Sequence, residues 1–430
     1  MKDTHQSRFA SLSVRNFRLF TLGQIVSATG TWMMVVAQDW LVLSLTGDSA
    51  TALGTVTALQ FAPLLLFTLH GGLLADRYDK RRLLVAANLA GGALALLLAV
   101  LVLSGQVRLW HVDVLALALG CVNAVEIPAR MSFVAEMVGP ELLPNASALS
   151  GAYFNLARIA GPAVAGLLIA WLGTGPVMLL NAATFLGTVV ALRMMRPDEL
   201  VAPAGPGARP GRAGVRDGLR YTTGRRDLLP VFGLVAVVSL FGLNFQLTLP
   251  LLAKTVFHTE AAAFGLFTTA MAAGSLAAAM VTAGRRTRPT ARLVAAAAVG
   301  LGAVEVAAGW APTPLVAMAL LCVTGFTTLY FAQAANHHIQ LGADPHYRGR
   351  VLALYTLILQ GSTPVGALLT GWLTAHFGAR SGLWAGGLVA LAAGLLVLSA
   401  AGRIPPAPPG GVPGVPAAAR PAVQRGSTEP

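Results

Sequence analysis

Four ionisable residues stand inside long apolar runs of this chain: Asp39 in VAQDWLVL, Glu126 in VEIPAR, Arg158 in FNLARIAG and Glu305 in GAVEVAAG. A charge in such surroundings costs about 2.5–3.5 kcal/mol on insertion scales, so each invites a chemical reading. An acid shielded from water can hold a proton in one state and release it in another, which makes Asp39, Glu126 and Glu305 candidate proton-coupling groups. Asp39 has a structural alternative, a hydrogen-bonded carboxylate near the mouth of its span, and Glu305 could reach water at the outer end of its own. Arg158 is expected to pair with Glu126, Asp39 or the polar Asn155, with contact to an anionic substrate as the alternative.

Charge is concentrated in one further place. Residues 71–84 read GGLLADRYDKRRLL, and six of the seven residues from Asp76 to Arg82 are charged in a chain where 11% are. Retention of positive residues on one membrane face explains Lys80, Arg81 and Arg82 but does not require Asp76 or Asp79. Gln24, Trp32, Gln60, Asn244, Gln246, Tyr330, Gln333 and Gln360 add polar or aromatic groups within apolar runs. A few such groups in a mainly apolar cavity suit an amphipathic organic substrate, although each taken singly reads as a helix-packing hydrogen bond. His337 and His338 are neighbours that point to different sides of a helix, with no carboxylates beside them, so no metal site is expected and a loop is the better placement. No G-x-x-x-x-G-K-[ST] loop is present, which argues against ATP as the energy source.

These residues need apolar helices to position them. Of 430 residues 55% are hydrophobic and the mean hydropathy is +0.69, well above the roughly 45–50% of water-soluble domains. The composition predicts an all-α membrane protein with spans near 18–45, 50–74, 83–104, 110–129, 146–171, 176–195, 229–252, 261–283, 290–310, 314–336, 350–375 and 381–402. The polar, basic N-terminus and the long first span do not resemble a removable signal peptide. A net charge of +13 comes without a foldable basic domain or base-stacking aromatics, so nucleic acid is not an expected partner. Cys121 and Cys322 lie in apolar runs and are expected to pack as small hydrophobes without a disulfide.

With twelve spans both ends of the chain share one side. Of 30 Lys and Arg, 26 fall on that side, three (Arg108, Lys254, Arg380) on the other, and Arg158 lies within a span. The asymmetry places both termini in the cytoplasm and favours contact with anionic lipid heads. The expected organisation is a cytoplasmic N-terminus (1–17), a six-helix bundle (18–196), a cytoplasmic linker (197–228), a second six-helix bundle (229–402) and a Pro- and Ala-rich disordered tail (403–430). The second part of the linker, GVRDGLRYTTGRRD, could form a short basic interfacial helix. Tyr153, Pro162 and Trp171 recur as Tyr355, Pro364 and Trp372, and Cys121 as Cys322, at an offset of 201–202 residues. The pattern predicts two parallel, pseudo-symmetric repeats.

The stretch GLLADRYDKR (72–81) resembles the G-x-L-a-D-r-x-G-r-k signature of the major facilitator superfamily, with Asp79 where that pattern has Gly. The segments SATGTWMMVVAQDWLVLSLTG, VEIPARMSFVAEMV, LPNASALSGAYFNLARIAGPAVAGLL and IQLGADPHYRGRVLALYTLILQGSTPVGALLTGW resemble the bacterial branch containing enterobactin exporters and macrolide-efflux proteins. The resemblance implies a fold of two rocking six-helix bundles and a conformational latch of Gly72, Asp76, Arg77, Lys80, Arg81 and Glu126. In it Asp76 meets the N-terminus of span eleven and Arg77 meets Glu126, pairings that suit a helix dipole and a bidentate guanidinium. Gly161, Pro162 and Pro364 are the expected helix-bending positions. The implied activity is proton-coupled export of a lipophilic small molecule, whether drug, macrolide or siderophore, by a monomer in a bacterial cell membrane, with no enzymatic site and no cofactor. An importer, a lipid flippase of the same fold, or a non-transporting membrane sensor is the alternative.

Overall fold

The computed structural model describes residues 9–201, 219–225, 227–285 and 287–400. Its helices are α1 (Arg15–Leu45), α2 (Ala50–Arg77), α3 (Lys80–Leu103), α4 (Leu109–Leu172), α5 (Thr174–Arg193), α6 (Leu229–Phe241), α7 (Phe245–Leu251), α8 (Ala261–Thr282), α9 (Ala291–Gly309), α10 (Pro314–Gly342), α11 (Arg348–Gly361), α12 (Thr363–Phe377) and α13 (Ser381–Ala400). No β-strand occurs among the described residues.

Among the described residues, eleven helical runs are long and apolar enough to cross a membrane, and α4 counts twice. Its 64 residues would measure about 96 Å if straight, some three times a bilayer's hydrocarbon core. The run breaks at Gly139, whose φ of 71° and ψ of 174° a side-chain-bearing residue would resist. Pro140 then opens the second limb with its fixed φ. Arg130 on the first limb hydrogen-bonds Tyr153 on the second, closing an antiparallel hairpin. The expected connection at 130–145 is therefore helix on both sides of a single glycine. Twelve crossings result.

The repeat predicted from spacing is visible as contacts. Tyr355 donates to the carbonyl of Ala332, 23 residues back, as Tyr153 meets Arg130 across the same interval. Small residues form matching seams: a Cβ on Gly71 or Gly120 would strike the backbone of Ala124 or Gln60, and one on Gly274 or Gly325 that of Cys322 or Met271. Thus α2 packs on the first limb of α4, and α8 on α10, with glycine permitting close approach. In the same way α3 packs on α5 and α9 on α13.

Several expectations need correction. Cys121 is exposed rather than packed inside, and Cys322 is half-buried; both are free thiols. Gly161 lets α1 approach the second limb of α4: a Cβ there would lie 2.6 Å from the Trp32 Cβ. Pro364 lies in the first turn of α12, after Ser362, whose φ of −73° and ψ of −21° are helical. A second break, Gly242–Asn244, divides the seventh crossing between α6 and α7. His337 and His338 lie in α10, because that helix runs on to Gly342. Residues 202–218 of the linker, the first eight residues and the tail from 401 lie outside the described residues.

Charge separates the two ends of the bundle. One end carries Arg15, Arg18, Arg77, Arg81, Arg82, Arg193, Arg196, Arg225, Arg285, Arg288, Arg348 and Arg350; the other carries Arg108, Lys254 and Arg380. At the basic end each half is tied to itself. Lys80 pairs with Glu136 at 2.6 Å, Arg81 donates to the carbonyls of Leu192 and Arg193, and Asn16 and Arg196 exchange two hydrogen bonds. Asp79, where the family pattern has glycine, caps α3 by accepting from the Arg82 amide at 2.7 Å. Its φ of −57° needs no glycine.

The C-terminal half has its own knot. Asp227 bridges Arg225 (2.8 Å) and Arg288 (3.1 Å), Arg288 donates to the His338 carbonyl, and the buried His338 ring contacts the carbonyls of Pro289 and Asp227. Burial alone would push the Asp227 carboxyl up, but the hydrogen bonds from Arg225 and Arg288 outweigh it and hold the group at about 2. A helical turn at 219–223 lies at the end of the linker. It docks by stacking Tyr221 on Tyr347, with ring centroids 4.5 Å apart.

Candidate functional site

The two halves touch along two seams. In one, the second limb of α4 meets α8: a Cβ on Gly166 would strike Ala261 and Ala262, one on Gly265 the Pro162 carbonyl, and Thr269 donates to the Ile159 carbonyl at 3.0 Å. In the other, α2 meets α12 and the end of α11, with Gly54 against Ala367, Gly371 against Ala50 and Gly361 against Leu65. Counted along the helices, both seams run from the Lys254 end to a depth of about 20 Å.

Lys254 closes that end. It lies in the π-helical turn Leu252–Val256, pairs with Asp48 at 2.7 Å, donates to Ser44 at 3.2 Å and sits 5.2 Å from the Trp40 ring centroid. Trp40 in turn stacks on Phe264 of the opposite half. Beneath it, Val36, Leu43, Ala165, Leu252 and Phe264 belong to one buried cluster that joins both halves. None of Lys254, Asp48, Ser44 and Trp40 was singled out from sequence. The available signal was that Lys254 is one of only three basic residues on its face.

Toward the basic end the seams stop and Arg158 follows, one residue beyond Ile159. Its guanidinium lies 5.8 Å from the Trp32 ring centroid, and Trp32 makes an edge contact with the exposed Phe154. None of the expected partners pairs with it. Glu126 takes Arg130, one helical turn away at 3.0 Å, Asn155 donates to its own helix at Gly151, and Asp39 lies seven residues beyond Trp32, about 10 Å along α1. Arg158 thus stands half-buried, held by an aromatic face, just past the point where the seam of α4 and α8 ends. The repeat offset of 202 residues places exposed Gln360 at the equivalent point of the opposite half.

Asp39 falls on the same stripe of α1 as Trp32, two turns nearer the Lys254 end. It is 1% exposed, and its Oδ2 has no hydrogen-bond partner. Glu305, likewise 1% exposed with an unpartnered Oε2, does not reach water either.

The other candidate residues are dispersed. Gln60 accepts from buried Gln38 inside the N-terminal half (3.2 Å), Asn244 donates to the Leu240 carbonyl freed by the break in the seventh crossing (2.9 Å), and Gln24 is buried within its half. Tyr330 accepts from Arg285 at 2.7 Å, while Gln246 and Gln333 are half-buried. Gly72, Asp76 and Arg77 are not brought to their expected latch partners. Asp76 and Arg77 are exposed, and Glu126 is engaged by Arg130 instead. Their separation follows from the halves standing apart at the basic end.

The comparisons agree with this architecture. Residues 6–407 match the family described as transmembrane secretion effector. The multidrug efflux pump Tap of Mycobacterium tuberculosis is 30% identical over 372 residues, covering 83% of this chain and 86% of that one. Macrolide efflux protein A of Streptococcus pyogenes is 21% identical, covering 83% and 88%. Among solved structures, the nucleoside transporter NupG superposes with a TM-score of 0.71 at 9% identity, over 89% of this chain and 99% of that one. With twelve crossings in two repeats, a charged residue just past the seam between them and these relatives, the chain belongs to the major facilitator superfamily, in its efflux-like branch, and is a multi-pass membrane transporter rather than an enzyme.

Proposed function

We propose that this transporter exports an amphipathic small molecule from a bacterial cell in exchange for protons, by alternating access of the cavity between its halves. The observation that carries the reading is the pairing of an unpartnered, sealed Asp39 with an exposed-side Arg158 two turns away, across the line where the halves stop touching. The basic end is cytoplasmic by the positive-inside rule, which puts both termini there. The conformation is accordingly open inward and closed outward by Lys254.

In that state Arg158, Trp32, Phe154 and Gln360 offer a cation, two aromatic faces and an amide to a substrate entering from inside, which suits a molecule with an apolar body and an oxygen-rich end. Asp39 holds a proton while sealed, because an anion there would be cut off from water. Outward opening separates Lys254 from Asp48, gives Asp39 access to water, and brings Asp76 and Arg77 to span eleven and Glu126. The names of the relatives, an efflux pump among them, favour the outward direction.

The test uses inverted membrane vesicles acidified inside, offered a panel of drugs, a macrolide and a siderophore. Accumulation of at least one compound, abolished by a protonophore, is expected; accumulation that survives the protonophore would remove proton exchange from the account.

A further inference from the structure

Glu305 is a second sealed acid, and it lies inside the C-terminal half rather than between the halves. Its carboxyl sits where two backbones nearly meet. A Cβ on Gly242 would lie 3.3 Å from Oε2, and one on Gly386 3.2 Å from Oε1. Gly242 is also the first residue of the break that divides α6 from α7. Its amide still closes α6 on the Val238 carbonyl, and the helix restarts with Leu247 and Thr248 both bonded to the Asn244 carbonyl. The carboxyl is therefore wedged against the point where the seventh crossing breaks between α6 and α7.

No charge answers it. The elements packed on α9 are α13, α10 and α6. Neither α6 nor α13 contains a titratable side chain, and α10 contains Cys322, Tyr330, His337 and His338. Tyr330 is bonded to Arg285 and His338 to Pro289 and Asp227, both toward the basic end, while the Cys322 backbone faces α8. On α9 itself Arg292 lies 13 residues away, about 20 Å along the axis. The nearest cation in the other direction, Arg380, is committed to the carbonyls of Gly309 and Ala311.

We propose that Glu305 is a proton-binding site of the C-terminal half: as the neutral acid it lets Gly242 and Gly386 close upon it, and its ionisation drives that seam apart. Loading a proton on Glu305 thus favours the inward-open state through the break in the seventh crossing. The inference rests on the proton-exchange reading above for its place in transport, but its test does not require substrate.

Spin labels at Met131→Cys and Leu341→Cys, in full-length protein with Cys121→Ala and Cys322→Ala, report the opening of the basic end by pulsed dipolar spectroscopy from pH 5 to 9. One titrating proton changes the ratio of the two distance populations by up to tenfold per pH unit within its window. With Asp39→Asn as the background, so that Asp39 contributes no proton of its own, that shift is expected while Glu305 is intact, and the long-distance population is expected to persist at every pH once Glu305→Gln is added. Should Glu305→Gln fail to fold, Glu305→Met, neutral and of similar volume, carries the same expectation. An unchanged pH response in either variant overturns the proposal, as does a distance distribution that ignores pH while Glu305 is present. A pH response that vanishes with Glu305→Gln, in a protein whose substrate flux moves no protons, would uphold the site and remove the coupling reading.

Discussion

Lys254→Met should open the face opposite the basic cluster. The substitution removes an ion pair with Asp48 at 2.7 Å and a cation over the Trp40 ring at 5.2 Å, while keeping the bulk of the side chain. Both partners are partly hydrated, so the ion pair is worth about 0.2–1 kcal/mol. A cation over an aromatic ring at such a site adds about 0.5–1 kcal/mol. Together these bias the closed state by about 0.7–2 kcal/mol, a factor of roughly 3–30 in its population. The assay is alkylation of a single cysteine at Thr51, exposed near the start of α2, by a membrane-impermeant maleimide in intact cells. With Lys254 present the two seams limit how often the outer mouth opens fully, and labelling at Thr51 serves as the baseline. In Lys254→Met a cysteine at buried Val36 should gain reactivity relative to Thr51 by about that factor. Asp48→Asn should produce much of the same effect. If Val36→Cys remains as protected in Lys254→Met as with Lys254 intact, the contact is not a closure element and the assignment of the closed face is wrong.

Other expectations follow from single contacts. Gly161→Val places side-chain atoms where Trp32 Cβ is 2.6 Å and the Thr29 carbonyl 2.9 Å away, so it should lower the melting temperature of the purified protein by an amount matching about 1–3 kcal/mol of overpacking. Gly151→Ala, with nothing within 4 Å, should leave that temperature unchanged. Asp227, held at about 2 against an ordinary 3.8, stabilises the fold above pH 4, and that contribution is lost as pH falls through 2. After screening by the water that reaches Arg288 it is worth about 1–2 kcal/mol, so the melting-temperature gap between Asp227 and Asp227→Asn proteins should narrow between pH 5 and pH 2.5. Asp76→Asn should leave expression and the inward-open fold intact while slowing export, measured as dye efflux from loaded cells, because its partners are met only when the basic end closes; wild-type efflux in that variant would remove it from the latch.

What could be read from sequence divides by range. Hydropathy carries span number, because membrane crossings are local and about 20 residues long, and the offset between Tyr153 and Tyr355 carries the repeat. Asp39 and Glu305 stand out because a single charge in an apolar run is visible without any partner. The turn at Gly139 is marked in sequence by the Gly139-Pro140 dipeptide, but that helix continues on both sides of it was hidden, because the polar and charged residues around it read as a loop. The break at Gly242–Asn244 was hidden likewise, since Leu243 and Phe245 keep the run apolar. Arg158 was expected to pair with Glu126, Asp39 or Asn155, or else to meet an anionic substrate, but which acids are free depends on local competition, and Arg130 takes Glu126 from one helical turn away. Lys254 and Asp48 are 206 positions apart in the chain, and only the fold shows that they meet. Asp79, a departure from the family pattern, has a local explanation as the cap of α3 that the charge run concealed.

The most direct measurement is internal pH in proteoliposomes carrying a pH-sensitive dye, with an exported compound added under an imposed proton gradient, for Asp39 and Asp39→Asn proteins side by side. Proton movement driven by the compound in the first and absent in the second, with binding of the compound retained, is the predicted result. Compound-driven proton movement of equal size in Asp39→Asn would contradict the role of Asp39, and flux of the compound without any proton movement in either protein would contradict proton exchange itself.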